Sequence, residues 1–423
     1  MTERLLQFIW QFQYFNRGEL TTAGGDSLQV ITQGVLNHNQ GPDFTSARIR
    51  IAGTIWVGNV ELHLRTSDWD RHNHNEDRNY KNVVLHVVWE NDSVPGREEL
   101  SMPLIELKDR VPKLLLQRFT AMMNNPSFIP CEEGISAIKP LTWKSWQERL
   151  IAERLLRKGK MIERMLAESG FHWEECFWWL LARNFGIRVN STAFEAMARS
   201  LPITILAKHK YQIHQLEALL FGQAGLLEND FAGHYPQMLQ KEFQFLRAKY
   251  GLKPIHEPMH FLRMRPGNFP TIRIAQLAVT VQQSSHLFSK IRDAGSVNDI
   301  RQCFTVVAND YWHYHYRFDE LSSFRKKQVG ASMIDNIIVN TIAPVLFAFG
   351  RYNREREFQQ KAVDWLEQTP GEKNSITEGF MQLDIKNENA AGSQALIELK
   401  NEYCDKKRCL DCAVGNHLLK EPK

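Results

Sequence analysis

The chain has 423 residues, 43% of them hydrophobic and 24% charged, which is the make-up of a folded globular protein long enough for two or three domains. Its formal net charge of +4 admits a polyanionic partner without demanding one. The N-terminal MTERLLQFIWQFQYF is amphipathic and lacks the apolar core and cleavage site of a secretory leader. The most apolar later run, Ile334 to Phe349, is short and interrupted by Asp335, Asn336, Asn340 and Pro344, so no membrane-spanning segment is expected. Six cysteines without the spacing of a disulfide framework point to a reducing compartment, and a cytoplasmic location is the expectation.

In chain order, Thr2 to Phe15 carries Leu5, Leu6, Phe8, Ile9, Phe12 and Phe15 near helical spacing and predicts a helix. Turn residues at Ala23 to Asp26 precede a short apolar stretch, Leu28 to Ile31, and then the Asn/Gly-rich Asn37 to Asp43. Phe44 to Ile51 and Ile55 to Leu64 alternate around Gly53 and predict a hairpin. Ser67 to Tyr80 is polar and expected to be partly helical. Val83 to Trp89, VVLHVVW, reads as a central strand covered on both faces, and Met102 to Leu107 as one more strand.

Beyond Val111 the pattern changes. Pro126, Pro130 and Pro140 punctuate a connecting segment, after which helices are predicted over Trp143 to Ser169, Trp173 to Phe185, Thr192 to Ala198, Gln215 to Phe221, Met238 to Tyr250 and Asp335 to Phe349. The expected class is α+β: an N-terminal α/β domain over residues 1–110 with a mixed central sheet, a linker over 111–140, an all-α domain over 141–400 and a cysteine-rich metal-binding tail over 401–423.

The hairpin carries the main chemical signal. In VGNVELHLRT, Val60, Leu62 and Leu64 point one way and Glu61 and His63 share the other face, because side chains alternate along a strand. Two polar residues at i and i+2 on an apolar strand call for partners, since unpaired burial costs about 1–3 kcal/mol each. Asp43 stands at the mouth of the preceding strand, where Pro42 fixes the approach. Two carboxylates and an imidazole so placed suit Mg²⁺ or Mn²⁺ with open positions for water and a phosphate. The plainer alternative is an Asp that caps a turn beside a Glu–His pair.

This arrangement resembles the core of the PD-(D/E)XK nuclease superfamily. Pro42-Asp43 matches its Pro-Asp element, and Glu61-Leu62-His63 stands where its Glu-X-Lys does. The resemblance implies a restriction-endonuclease-like domain in which Asp43 and Glu61 bind metal and the third residue orients the attacking water. Here that residue is His63 rather than Lys, which leaves its charge dependent on pH; Lys81, before the next strand, is a candidate substitute cation. His72 and His74 in RHNHNED are candidates for a phosphate or metal contact as well as ordinary solvated residues, and His86 within VVLHVVW reads as a core histidine. The whole chain also resembles a family of uncharacterised bacterial proteins grouped as a domain of unknown function, through the strings GPDF, VELH, SDW, VVLHVV and RMRPGNFPTIR and the terminal cysteines.

Cys404, Cys409 and Cys412 stand at C-x4-C-x2-C and need a fourth ligand to close a metal site, either His417 or Cys131. Lys406, Lys407 and Arg408 offset thiolate charge. One upstream cysteine with three near the C-terminus is similar to the iron–sulfur site of helicase-associated and CRISPR-associated nucleases of the same superfamily, which implies a [4Fe-4S] cluster; a local site with His417 implies zinc. Here all four cysteines follow the nuclease motif, whereas in those nucleases the motif lies between the first and last of them. Cys176 and Cys303 belong elsewhere, Cys176 as a small core residue of an aromatic helix.

Arg263, Arg265 and Arg273, in a proline-bounded loop leading into a helix, and Lys208 with Lys210, are candidate backbone-phosphate contacts, with carboxylate pairs that stitch helices together as the alternative for Arg263 and Arg265. The aromatic run Tyr311 to Arg317 suits base stacking or a core equally. No phosphate-loop, Rossmann or Ser-His-Asp signature is present. The expected function is a metal-dependent nuclease on DNA or RNA. The alternative is a non-catalytic nucleic-acid-binding or assembly protein with a degenerate nuclease core.

Overall fold

The computed structural model describes residues 1–37, 39–93, 102–284 and 286–420; His38, within the Asn/Gly-rich segment, lies outside them. The chain divides into two compact units, Met1–Trp146 with Leu399–Lys423, and Gln147–Glu398.

The first unit is mixed α/β. Helix α1, Glu3–Gln11, is capped by the Thr2 hydroxyl and buries Leu5, Leu6, Phe8, Ile9 and Trp10. The strands are β1 (Leu28–Thr32), β2 (Val35–Leu36), β3 (Phe44–Ile51), β4 (Thr54–Arg65), β5 (Val83–Glu90) and β6 (Leu104–Glu106), with the short helix α2 (Asp68–Arg71) between β4 and β5. The sheet runs β1-β3-β4-β5-β6, with β2 added on β3. Pairing is antiparallel from β1 to β4 and parallel from β4 to β6.

Local sequence explains most of this. Ala52 and Gly53 both take positive φ, 46° and 84°, so the β3–β4 turn has the left-handed pair that matches strand twist. Along β3, Phe44, Ala47, Ile49 and Ile51 are buried, with the extra residue Ser46 at φ 59° absorbing a register shift. Val60 to His63 on β4 and Leu85 to Val88 on β5 are buried on both faces, as a central parallel pair requires.

Two boundaries differ from the sequence expectation. The 111–140 stretch, read as a linker, contains helix α3 (Lys113–Asn124), and its Leu115 and Met122 join the core under the sheet. The tail is also part of this unit, because Cys409 and Leu419 enter that same core.

Among its described residues the second unit is helical apart from a small hairpin, His315–Arg317 with Glu320–Leu321. Its core gathers Phe177, Trp178, Phe185, Phe194, Phe221, Phe304 and Trp312, so Trp312 of the aromatic run is interior. The helical stretch Ala331–Asn353 is long and apolar enough to cross a membrane, but 78% of its apolar window is buried inside the protein, which makes it a core helix.

Candidate metal centre

Glu61 and His63 face one side of β4 near its C-terminal end, where parallel pairing puts His86 directly opposite Glu61. Both are buried, Glu61 at 5% and His63 at 1% exposure. From the antiparallel side, the Asp43 backbone N–H donates to Glu61 Oε2 at 3.0 Å. The Asp43 carboxylate is gripped in turn: Oδ2 accepts from the Leu62 N–H at 3.1 Å, and Oδ1 from Gln7 Nε2, on α1, at 2.8 Å. Helix α1 also presents Glu3, whose charge acts on both Asp43 and Glu61.

The polar loop after α2 closes over this face. Asn73 adopts φ 57°, a conformation Asn tolerates well, and the residues on either side of it turn inward. His72 Nδ1 lies 3.2 Å and His74 Nε2 3.3 Å from His63 Nε2. Glu61 Oε1 lies 3.6 Å from His63 Nε2 and 3.5 Å from His74 Nε2. The His74 ring stacks on Tyr80 at 3.8 Å, and Trp69 sets its edge against both His74 and His86. On the far side of His63, Nδ1 meets His86 Nε2 at 2.9 Å.

These contacts cannot all be ordinary hydrogen bonds. His63 Nε2 carries one proton or one lone pair, yet faces two imidazole nitrogens and a carboxylate oxygen. The three imidazole ligand atoms, on His63, His72 and His74, all lie within 4.8 Å of one another, close enough for one cation to sit among them, and Glu61 Oε1 stands beside two of the three. The His63–His86 contact then has the form of the outer hydrogen bond that orients a metal-bound imidazole.

Electrostatics agree. Burial and the Glu3 charge push the Asp43 carboxyl up to about 7, and burial with Asp43 pushes Glu61 up to about 8. Burial and the neighbouring imidazoles hold His63 down at about 3; burial and His74 hold His86 down at about 4. His74 is lowered by burial and His72. The site therefore gathers crowded acids with imidazoles at His63, His74 and His86 held toward the neutral form, the form in which histidine ligates metal. His63 is not a replacement cation for a lysine at neutral pH.

Asp43, Glu61 and His63, singled out from the sequence, are thus brought together. His72 and His74 join them, and so does His86. Lys81 is exposed. The basic candidates belong to the second unit. Arg263, Arg265 and Lys208 are exposed, and Lys210 lies 4.9 Å from the Tyr211 ring centroid. Arg273 is buried: its guanidinium donates to Gln276 at 2.9 Å and to Asn268 at 2.6 Å, so it bridges helix and turn internally and is not a surface cation.

A second cluster forms in the first unit. Cys131, Cys404, Cys409 and Cys412 line one cavity with Pro130, Tyr403, Arg408 and Gly415, and His417 is not in that lining. Cys176 and Cys303 lie in the second unit.

Fold and clusters together define an α+β protein that gathers a histidine–carboxylate site and a four-cysteine site in one unit. The chain belongs to the family described as protein of unknown function (DUF2851), whose model matches residues 3–375. No curated protein and no solved structure matches it significantly.

Proposed function

We propose that the chain is a metal-dependent phosphodiesterase acting on nucleic acid. The observation that carries this reading is the convergence of Glu61 Oε1, His63 Nε2, His72 Nδ1 and His74 Nε2 beside Asp43, at the end of the two central parallel strands. Supporting it is the succession of a helix, four strands in antiparallel pairing, a short helix and a parallel strand, which is similar to the element order of the PD-(D/E)XK core. On this reading Asp43 and Glu61 take the part of that core's acidic pair.

His63, His72 and His74 are the residues that would hold the cation, with Glu61 beside His63 and His74, and imidazole ligands favour Fe²⁺ or Zn²⁺ over Mg²⁺. Such an ion supplies Lewis acidity toward a phosphoryl oxygen and makes bound water acidic near neutral pH. Asp43, half-buried and raised to about 7, is matched to accept a proton from water at that pH. His86 fixes the tautomer and direction of His63. His72 is exposed, so the ligand shell faces solvent on the side from which a polyanion would approach.

The test compares the full chain with Asp43→Asn, Glu61→Gln and His63→Ala on single- and double-stranded DNA and RNA, with Mn²⁺, Zn²⁺ and Mg²⁺ supplied separately. Cleavage by wild type, lost in all three variants, supports the reading. Absence of cleavage in every metal, or equal cleavage by the variants, overturns it.

One observation favours a second reading, a non-catalytic nucleic-acid-binding protein with a degenerate core. Both Asp43 oxygens already accept N–H donors, from Gln7 and Leu62. Salt-dependent binding without turnover would select that alternative.

A further inference from the structure

The last segment of the first unit folds back from the second unit onto α1 and α3, and its cysteines are where it turns. Cys404 ends the helical turn Leu399–Cys404, Cys409 and Cys412 follow, and the helix Ala413–Lys420 begins directly after them. Cys131 comes from the other side of the chain, after α3. All four line one cavity, which draws its cysteines from two distant chain segments.

We propose that these four cysteines form a thiolate-bound metal centre that fastens residues 399–420 to helix α1 and thereby braces the histidine–carboxylate site. The shared chemistry is a soft cation with four sulfur ligands, either one zinc ion or an iron–sulfur cluster.

Three observations carry this inference. Thiols are weak hydrogen-bond acceptors, yet the Val414 and Gly415 backbone N–H groups are both directed at the Cys412 sulfur, an arrangement that suits a thiolate. Gly415 is held there by close packing, since a Cβ would fall 2.3 Å from the Cys409 carbonyl oxygen. Positive charge stands near the sulfurs: Lys400 acts on Cys404, Lys407 acts on Cys409, and Arg408 lines the cavity. On metal binding the thiol protons pass to solvent.

The bracing route is explicit. Asp411, between two of the cysteines, pairs with Arg408 at 3.0 Å and with Arg4 on α1. Tyr14 donates to Asn416 at 3.1 Å, and Lys420 lies over the rings of Phe12 and Tyr14. Helix α1 in turn carries Gln7, which holds Asp43. Because the whole second unit intervenes between Cys131 and Cys404, the cross-link joins the two ends of the first unit.

The metal centre does not rest on the phosphodiesterase reading, and its test does not use activity. The full chain is purified anaerobically and analysed for metal, acid-labile sulfide and absorption. It is compared with Cys131→Ser, Cys404→Ser, Cys409→Ser and Cys412→Ser, with Cys176→Ala as an unrelated thiol and His74→Ala as a change at the other site. The expected result is either about one equivalent of zinc in a colourless protein or iron with sulfide in a brown one. That metal is lost in each of the four serine variants and kept in the other two. Hydrogen exchange of α1 and of residues 399–420 quickens by about tenfold or more on loss. Should the serine variants not fold, stripping wild type with a chelator and following the same exchange replaces them. Metal-free wild type that stays metal-free after reconstitution overturns the proposal. So does metal retained by the serine variants but lost from His74→Ala, or unchanged exchange on stripping.

Discussion

Glu61 and His86 lie directly opposite one another on the parallel strands β4 and β5, and both reach His63: Glu61 Oε1 at 3.6 Å from Nε2, His86 Nε2 at 2.9 Å from Nδ1. The two contacts fall on the two ring nitrogens of one imidazole. That pair of contacts separates the side of the ring that would ligate from the side that is oriented.

His86→Leu is therefore expected to keep the fold and weaken metal binding at the histidine site by about 10–100-fold. His63→Ala abolishes that binding. Calorimetric titration of Mn²⁺ or Zn²⁺ into protein carrying the four cysteines in their native state measures both. An unchanged affinity in His86→Leu would remove His86 from the site.

The β3–β4 turn places the strand that carries Glu61 and His63, and it contains an avoidable strain. Ala52 is exposed and sits at φ 46°, where a Cβ is disfavoured, followed by Gly53 at φ 84°. Ala52→Asn supplies the residue this turn prefers and is expected to stabilise the first unit by about 0.5–1 kcal/mol. Gly53→Val forces a β-branched residue to positive φ and is expected to cost more than about 1 kcal/mol. Urea denaturation with equal slopes checks both, and opposite signs would contradict the turn geometry.

Much of this was readable beforehand. Period-two alternation marks Glu61 and His63 as sharing a face, and Pro42 before Asp43 marks the strand mouth. Both are local patterns, and the central strand VVLHVVW is equally local. His86 reads from the sequence as a core histidine with a hydrogen-bond partner, but that the partner is His63 depends on a register set across a crossover connection that no window of sequence contains. His72 and His74 lie in a stretch as polar as any solvated loop, and only its closure over the sheet brings them to His63. Sequence spacing left Cys131 and His417 open as the fourth member of the cysteine cluster; the folded cavity takes Cys131. Arg273 looked like a phosphate contact because it follows a proline loop, but packing turns it inward to Gln276 and Asn268. Helix α3 escaped notice because prolines around it dominate the local pattern.

The second unit offers a pH test away from any metal. Glu217, fully buried, accepts from Trp312 Nε1 at 3.1 Å and shares a short hydrogen bond with Tyr235, whose hydroxyl also accepts from Asn309 at 2.9 Å. Both partners are neutral donors, and burial outweighs them, pushing the carboxyl up to about 8. Its folded value lies above its unfolded one, so its contribution to stability is complete below the unfolded value of 4.5 and is lost as pH rises through about 8. The loss is on the order of a few kcal/mol. Glu217→Gln keeps an acceptor for Trp312 and cannot ionise. Denaturation across this range should show a falling stability in wild type and a flatter curve in the variant; identical slopes would refute the assignment.

The cysteine cluster makes a steric prediction as well. At residue 415 a Cβ would fall 2.3 Å from the Cys409 carbonyl oxygen and 3.0 Å from its carbonyl carbon, both backbone atoms that cannot swing aside as a side chain end does. Gly415→Ala must therefore separate the Cys409 turn from the start of the helix Ala413–Lys420, drawing the Gly415 N–H away from the Cys412 sulfur. The expected outcome is a first unit less stable by about 2 kcal/mol or more, with partial or complete loss of metal from the cysteine site and earlier proteolysis within residues 399–420. Gly267→Ala, where an added Cβ meets nothing within 4 Å, is the matching control and should change none of these. Metal content and thermal midpoint, measured on both variants in parallel, decide it. If Gly415→Ala holds its metal and melts with wild type, then the close approach at Cys409 does not govern the geometry of the thiols, and the tail is anchored by Leu419 and by its polar ties to Arg4 and Tyr14.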